Sequence, residues 1–167
     1  MAKPATTPFQ KFAREVGKYP PGFHVLRPGA PDEVIAEAEK KLKCELPEVY
    51  RRFLRGWNGG LLFGSGVVIF AIYRDAVEFQ RDDLPVEDLV SCNGAKSSKP
   101  PERFLHVART GSGERIALDL DHVSGDDVRV VRLRGDEVDA NWKTFDKWLE
   151  HEMKLGRGVF DYHGNIR

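Results

Sequence analysis

The chain has 167 residues, 41% hydrophobic and 31% charged, a size and balance that suit one globular domain and argue against a disordered or fibrous chain. Its 26 basic and 26 acidic side chains give zero formal charge, which counts against a dedicated nucleic-acid binder, because neutralising phosphates calls for a basic excess. Cys44 and Cys92 stand apart with no CxxC spacing, which argues against a zinc site or disulfide scaffold and fits a reducing cytoplasm.

The N-terminal MAKPATTPF has no apolar core of the kind a signal peptide needs. No apolar run approaches the ~20 residues of a membrane span. The longest, Val67 to Tyr73, has strand length, so the expectation is a soluble cytoplasmic protein without a membrane partner. Phe9, Phe12, Ala13 and Val16 then fall on one face of a short helix, stopped by Gly17 or by the turn Pro20-Pro21-Gly22. Phe23 to Arg27 reads as extended, and Pro28-Gly29 as a turn.

A second helix is predicted over Asp32–Lys43, with Val34, Ile35, Ala38 and Leu42 on its apolar face. Asp32 and Glu33 suit its first turn, where the helix dipole favours negative charge, although Ala30-Pro31 offers no capping oxygen. Glu37 with Lys41, and Glu39 with Lys43, have the spacing of helical ion pairs. The third helix lies in ELPEVYRRFLRGWNGG. Pro47 suits its first position, Leu46, Val49, Tyr50, Phe53, Leu54 and Trp57 form its apolar face, and Asn58-Gly59 supplies a left-handed stop.

The hydrophobic period then changes. Val67–Tyr73, Phe104–Arg109, Arg115–Leu120 and Val128–Leu133 are short β-branched or aromatic runs. Thr110-Gly111-Ser112-Gly113 and Ser124-Gly125-Asp126-Asp127 join some of them too tightly for helical crossovers, so that part of the sheet is antiparallel. Thr144 caps a last helix with Phe145, Trp148, Leu149 and Met153 facing inward, and Gly156 ends it. The tail either docks back through Val159, Phe160 and Tyr162 or stays free. From Asp75 to Pro101 no clear period emerges, and Asn93 to Pro101 reads as a loop.

Recognised catalytic patterns are missing. Gly64-Ser65-Gly66 follows a helix instead of preceding one and lacks the third glycine of a dinucleotide fingerprint, since Ile69 takes that place. No P-loop, GxSxG elbow or HExxH spacing occurs. Asp119, Asp121, Asp126 and Asp127 fail the calcium-loop pattern, because Val123 and Ser124 occupy its third acidic and glycine positions. Asp119 and Asp121 share one face of a strand and so allow an acid–base pair, against the simpler reading of a solvated sheet face. The expectation is no catalytic residues, no metal and no cofactor.

Charge distribution is more informative. From Asp75 to Asp88 the acids are Asp75, Glu78, Asp82, Asp83, Glu87 and Asp88, opposed only by Arg81. Lys96, Lys99, Arg103, Arg109 and Arg115 follow. Segregated charge of this kind steers protein partners.

In order, Pro28-Gly29-Ala30 with Asp32-Glu33-Val34-Ile35, Leu46-Pro47 with Tyr50, Phe53, Leu54 and Asn58-Gly59-Gly60, the run Gly113 to Leu120, and Phe145 with Trp148-Leu149 resemble the motifs of the SUKH superfamily. Pro31 departs from the usual Ser or Thr cap, and Glu114 from a usual small or amide residue. The resemblance covers about Phe23 to Met153. It leaves residues 1–22 as a helical extension, 23–153 as the family-like domain and 154–167 as a tail. It implies a single-domain α+β fold, with a mostly antiparallel twisted sheet packed against several helices, and no shared catalytic residues. Bacterial members typically neutralise a toxin by binding it, and eukaryotic members act as regulatory modules. The expectation is therefore an immunity protein that binds a cognate toxin, such as a nuclease, with no direct nucleic-acid contact. Asp82, Asp83, Glu87 and Asp88 are its first candidate contacts and Asp119 and Asp121 its second. A regulatory scaffold is the alternative, and an enzyme using Asp119 and Asp121 a third reading.

Overall fold

Each strand of the sheet pairs antiparallel with its sequence neighbour, in the spatial order β1 to β7. A computed structural model describes residues 9–94 and 102–167. Within them lie β1 (Val25–Pro28), β2 (Trp57–Leu62), β3 (Val67–Ile69), β4 (Phe104–Thr110), β5 (Arg115–Ser124), β6 (Asp127–Arg134) and β7 (Glu137–Trp142). The helices are α1 (Gln10–Gly17), α2 (Asp32–Leu42), α3 (Glu48–Gly56), α4 (Ala76–Arg81), α5 (Leu89–Cys92) and α6 (Phe145–Val159). This is an α+β fold in one domain.

The main core joins one face of the sheet to α1, α2, α3, α5 and α6. In α3, Val49, Tyr50, Phe53 and Leu54 are buried, as the spacing predicts, while Trp57 is partly buried against the core. Burial of that face contributes on the order of 10 kcal/mol gross, an upper bound before chain entropy is subtracted. The uncapped start of α2 is also observed, with Pro31 at the cap and no side-chain bond. Glu39 turns away along the chain and bonds the Leu46 amide (2.8 Å) and Arg51 (2.8 Å). Thr144 caps α6 through the Lys147 amide.

Three expectations are corrected. Asn58-Gly59 does not stop α3. The helix ends at Gly56 and runs straight into β2, with Trp57 already extended. Gly59 is left-handed (φ 73°) inside the strand, where a β-carbon would stand 2.6 Å from the carbonyl oxygens of Ile69 and Phe70. The run Val67–Tyr73 is strand only to Ile69. The last helix continues through Gly156 to Val159. Gly156 is buried because the Phe63 ring lies where its β-carbon would be. The edge strand β7 was not anticipated.

Both ends of the described residues pack against the core. Phe9 and Phe12 meet Phe53 and Trp57 edge-on or tilted. The tail docks: Phe160 stacks on Phe63 (centroids 6.0 Å apart) and Tyr162 packs on Tyr19 (5.2 Å). His24 sits in the same cluster and accepts the Phe63 amide at Nδ1 (3.1 Å); burial pushes its pKa down to about 4.

Candidate functional site

The acidic stretch folds as α4, a turn and α5, all within the connection from β3 to β4. Asp75 caps α4 by accepting the Glu78 amide (2.8 Å), and Glu78 reaches back to the Arg74 amide (2.5 Å). Asp88 caps α5 through the Ser91 amide and hydroxyl, both at 2.8 Å. These side-chain oxygens satisfy amides that a helix start leaves without partners.

Three polar clamps tie this segment to the sheet. Asn58 is buried and bonds both the carbonyl (2.8 Å) and the amide (2.7 Å) of Ile72. Asn93 bonds both the carbonyl (2.8 Å) and the amide (2.7 Å) of His106, and also donates to the Leu89 carbonyl. The Tyr73 hydroxyl donates to Asp82 (2.8 Å) and accepts from Arg27 and the Val86 amide, each at 3.0 Å. Arg27 also pairs with Asp82 and lies over the Tyr73 ring. Beneath, Val68, Ala71, Tyr73 and Val86 form a small second core.

The clamps divide the first four candidate acids. Asp82 belongs to the tyrosine clamp, Glu87 pairs with Arg109, and Asp88 caps α5 while accepting the Tyr73 amide (3.3 Å). Asp83 is exposed and has no ion pair or hydrogen bond among the described residues. Beside these acids, α4 buries none of its residues, and Val77, Phe79 and Leu84 are exposed. The segment thus exposes apolar side chains alongside negative charge.

Asp119 and Asp121 are not part of that surface. Asp119 projects from β5 opposite Phe104 and Arg129 and is fully buried. Arg103 grips both its oxygens at 3.1 Å, His122 lies at 2.9 Å and Arg129 at 3.5 Å. Burial pushes its pKa up, but Arg103 and the neighbouring charges overcome this and hold the carboxyl below its ordinary value. Full burial corrects the expectation that Asp119 touches a partner. Asp121 remains exposed, 3.6 Å from the same Arg103. An acid–base pair needs one carboxyl that keeps its proton near neutrality, so a lowered Asp119 gives the enzyme reading no support.

Burial around the sulfur pushes the pKa of both Cys44 and Cys92 up, the opposite of the shift that activates a thiol. Among the described residues no cluster of His, Cys, Asp or Glu is arranged to hold a metal ion, and no helix is long and apolar enough to cross a membrane.

Fold and surface together define an α+β module with the α4–α5 lobe clamped to its sheet. The chain belongs to the SMI1/KNR4 family (SUKH-1), whose model matches residues 29–151, from the turn before α2 to the middle of α6. Membership is consistent with an immunity or regulatory module that acts through protein binding. No curated protein matches the chain. Asn58-Gly59-Gly60, the centre of the family-like motif, is where the lobe is anchored: Asn58 holds Ile72, and Gly59 and Gly60 let neighbouring backbone approach.

Proposed function

We propose that the chain is a cytoplasmic, non-enzymatic immunity protein that binds and neutralises a cognate bacterial toxin. The α4–α5 lobe is its contact surface, with Asp83 as an exposed acid without an ion pair among the described residues. The observation that carries this reading is the lobe: a clamped segment in a binding-protein family that leaves Val77, Phe79, Leu84 and Asp83 in water. Exposed apolar side chains among like charges suit association with a basic protein surface, such as the substrate cleft of a nuclease. Asp82, Glu87 and Asp88 act mainly by shaping the lobe, and Asp121 lies outside it. The same negative charge opposes direct contact with nucleic acid, and no membrane is involved.

Growth rescue tests this. The chain is co-expressed with each toxin effector domain encoded in its source genome, and purified pairs are checked for a complex. Rescue from one effector, accompanied by a stable complex, is the expected result. Absence of rescue and of complex with every effector would overturn the toxin reading in favour of an endogenous regulatory partner.

A further inference from the structure

A groove runs between α2 and the α4–α5 lobe, and it is continuous because Lys41, Tyr73, Arg74 and Val90 line both its ends. Its apolar floor comes from the buried Val34 and Ala38 of α2 and Ile72, Tyr73 and Val90 across from it, with Phe79 as the exposed apolar side chain. Phe79 is 38% exposed and meets Tyr73 edge-on at 5.0 Å, so the groove has an aromatic wall open to water. Among the described residues its margins are predominantly acidic, with Glu33 and Glu37 on α2 and Asp75, Glu87 and Asp88 on the lobe, against Lys41 and Arg74.

We infer that this groove docks a protein segment carrying a large apolar side chain flanked by Lys or Arg. The inference rests on the protein-binding reading above and names the chemistry of the partner. The apolar side chain fills the space beside Phe79 and Val90, where it removes apolar surface of both partners from water. The flanking cations meet Glu37 and Asp75, which accelerates encounter and penalises acidic competitors. Charge complementarity selects this occupant. A phosphate-bearing ligand would meet the same carboxylates and be repelled.

The test uses two synthetic peptides with the same apolar pattern, acetyl-GSRLFKRLFRSG-amide and acetyl-GSELFEELFESG-amide. Each is titrated into the full-length protein and followed by backbone amide chemical shifts. The basic peptide is expected to bind at least tenfold more tightly and to shift Val34, Ala38, Phe79 and Val90. Phe79→Ser and Glu37→Lys are each expected to weaken it several-fold; Glu37→Lys, at an exposed position, leaves the melting temperature unchanged, and Phe79→Ser, which gives up the ring contact with Tyr73, keeps the dispersed amide spectrum of the folded protein. Equal affinity for the two peptides, shifts centred on Arg103 and Arg129, no binding of the basic peptide, or unaltered affinity in both variants would each overturn the groove. Growth rescue separates this from the broader reading. If Phe79→Ser and Glu37→Lys rescue as well as wild type, the groove fails while toxin binding stands.

Discussion

On the helix-covered face of the sheet, Ile116, Leu118 and Val130 belong to one continuous apolar core with Phe53, Phe145 and Trp148. The same two strands turn Ala117, Asp119, Arg129 and Val131 to the opposite face. The first face is closed by shape, with aromatic rings filling the space between sheet and helices. The second mixes small apolar clusters with charge, and a carboxylate there is either enclosed by cations, as Asp119 is, or left in water, as Asp121 is. A buried charge is tolerated only when its partners are present. Charge on the second face is therefore structural at Asp119, and solvated at Asp121.

Gly59→Val is the severest way to break this comparison. A valine there faces a left-handed backbone and carbonyl oxygens 2.6 Å from its β-carbon. The strain and the clash both act on backbone, which cannot swing aside, so the expected loss is about 4 kcal/mol or more. Urea unfolding checks it, and a variant as stable as wild type would show that β2 adapts without the glycine.

Asp119→Ala comes next and sharpens the distinction on the second face. It leaves Arg103 and Arg129 without their shared carboxylate, and the expected loss is about 3 kcal/mol. Asp121→Ala, at an exposed position, is expected to change stability by less than about 0.5 kcal/mol. Because the folded Asp119 pKa is lowered, its stabilisation is fully present above the unfolded aspartate value of 3.8 and is lost as pH falls through the folded value. The gap between wild type and Asp119→Ala is thus expected to narrow in acid. A constant gap across that range would argue that packing, not charge, sets the loss.

The helix-covered face was largely legible in the sequence. The apolar periods of α1, α2, α3 and α6 carry it directly, and the β4–β5 and β5–β6 turns reveal themselves through their glycines. β2 was hidden because Asn58-Gly59-Gly60 has the composition of a helix stop, and its distinguishing contacts are with Ile69, Phe70 and Ile72 farther along the chain. β7 was hidden because an edge strand shows most of its residues to water, which erases the alternation. The second face was legible only as charge. Nothing local separates Asp119 from Asp121, because the arginines that bury Asp119 come from beside β4 and from β6. Likewise, Asp83 stands apart from Asp82 only because Arg27 and Tyr73 reach Asp82.

The smallest expected effect tests whether the helix-covered face tolerates a charge without a cation in contact. Glu152 on α6 is buried there and accepts the Trp148 indole N–H at 3.1 Å. Burial raises its pKa above the ordinary 4.5, and neither the indole bond nor the more distant Arg132 cancels the shift. The folded protein therefore holds this proton more tightly than the unfolded chain. Stability attributable to Glu152 is greatest below the unfolded glutamate value and falls as pH rises through the raised folded value. Glu152→Gln keeps an oxygen for the indole and carries no titrating proton. It is expected to match wild type in acid and to exceed it slightly at neutral pH, as read from urea midpoints across pH 4 to 8. A variant whose deficit against wild type grows as pH rises would mean that the ionised carboxylate is favoured in place, and the contrast between a shape-closed face and a charge-bearing one would fail at α6.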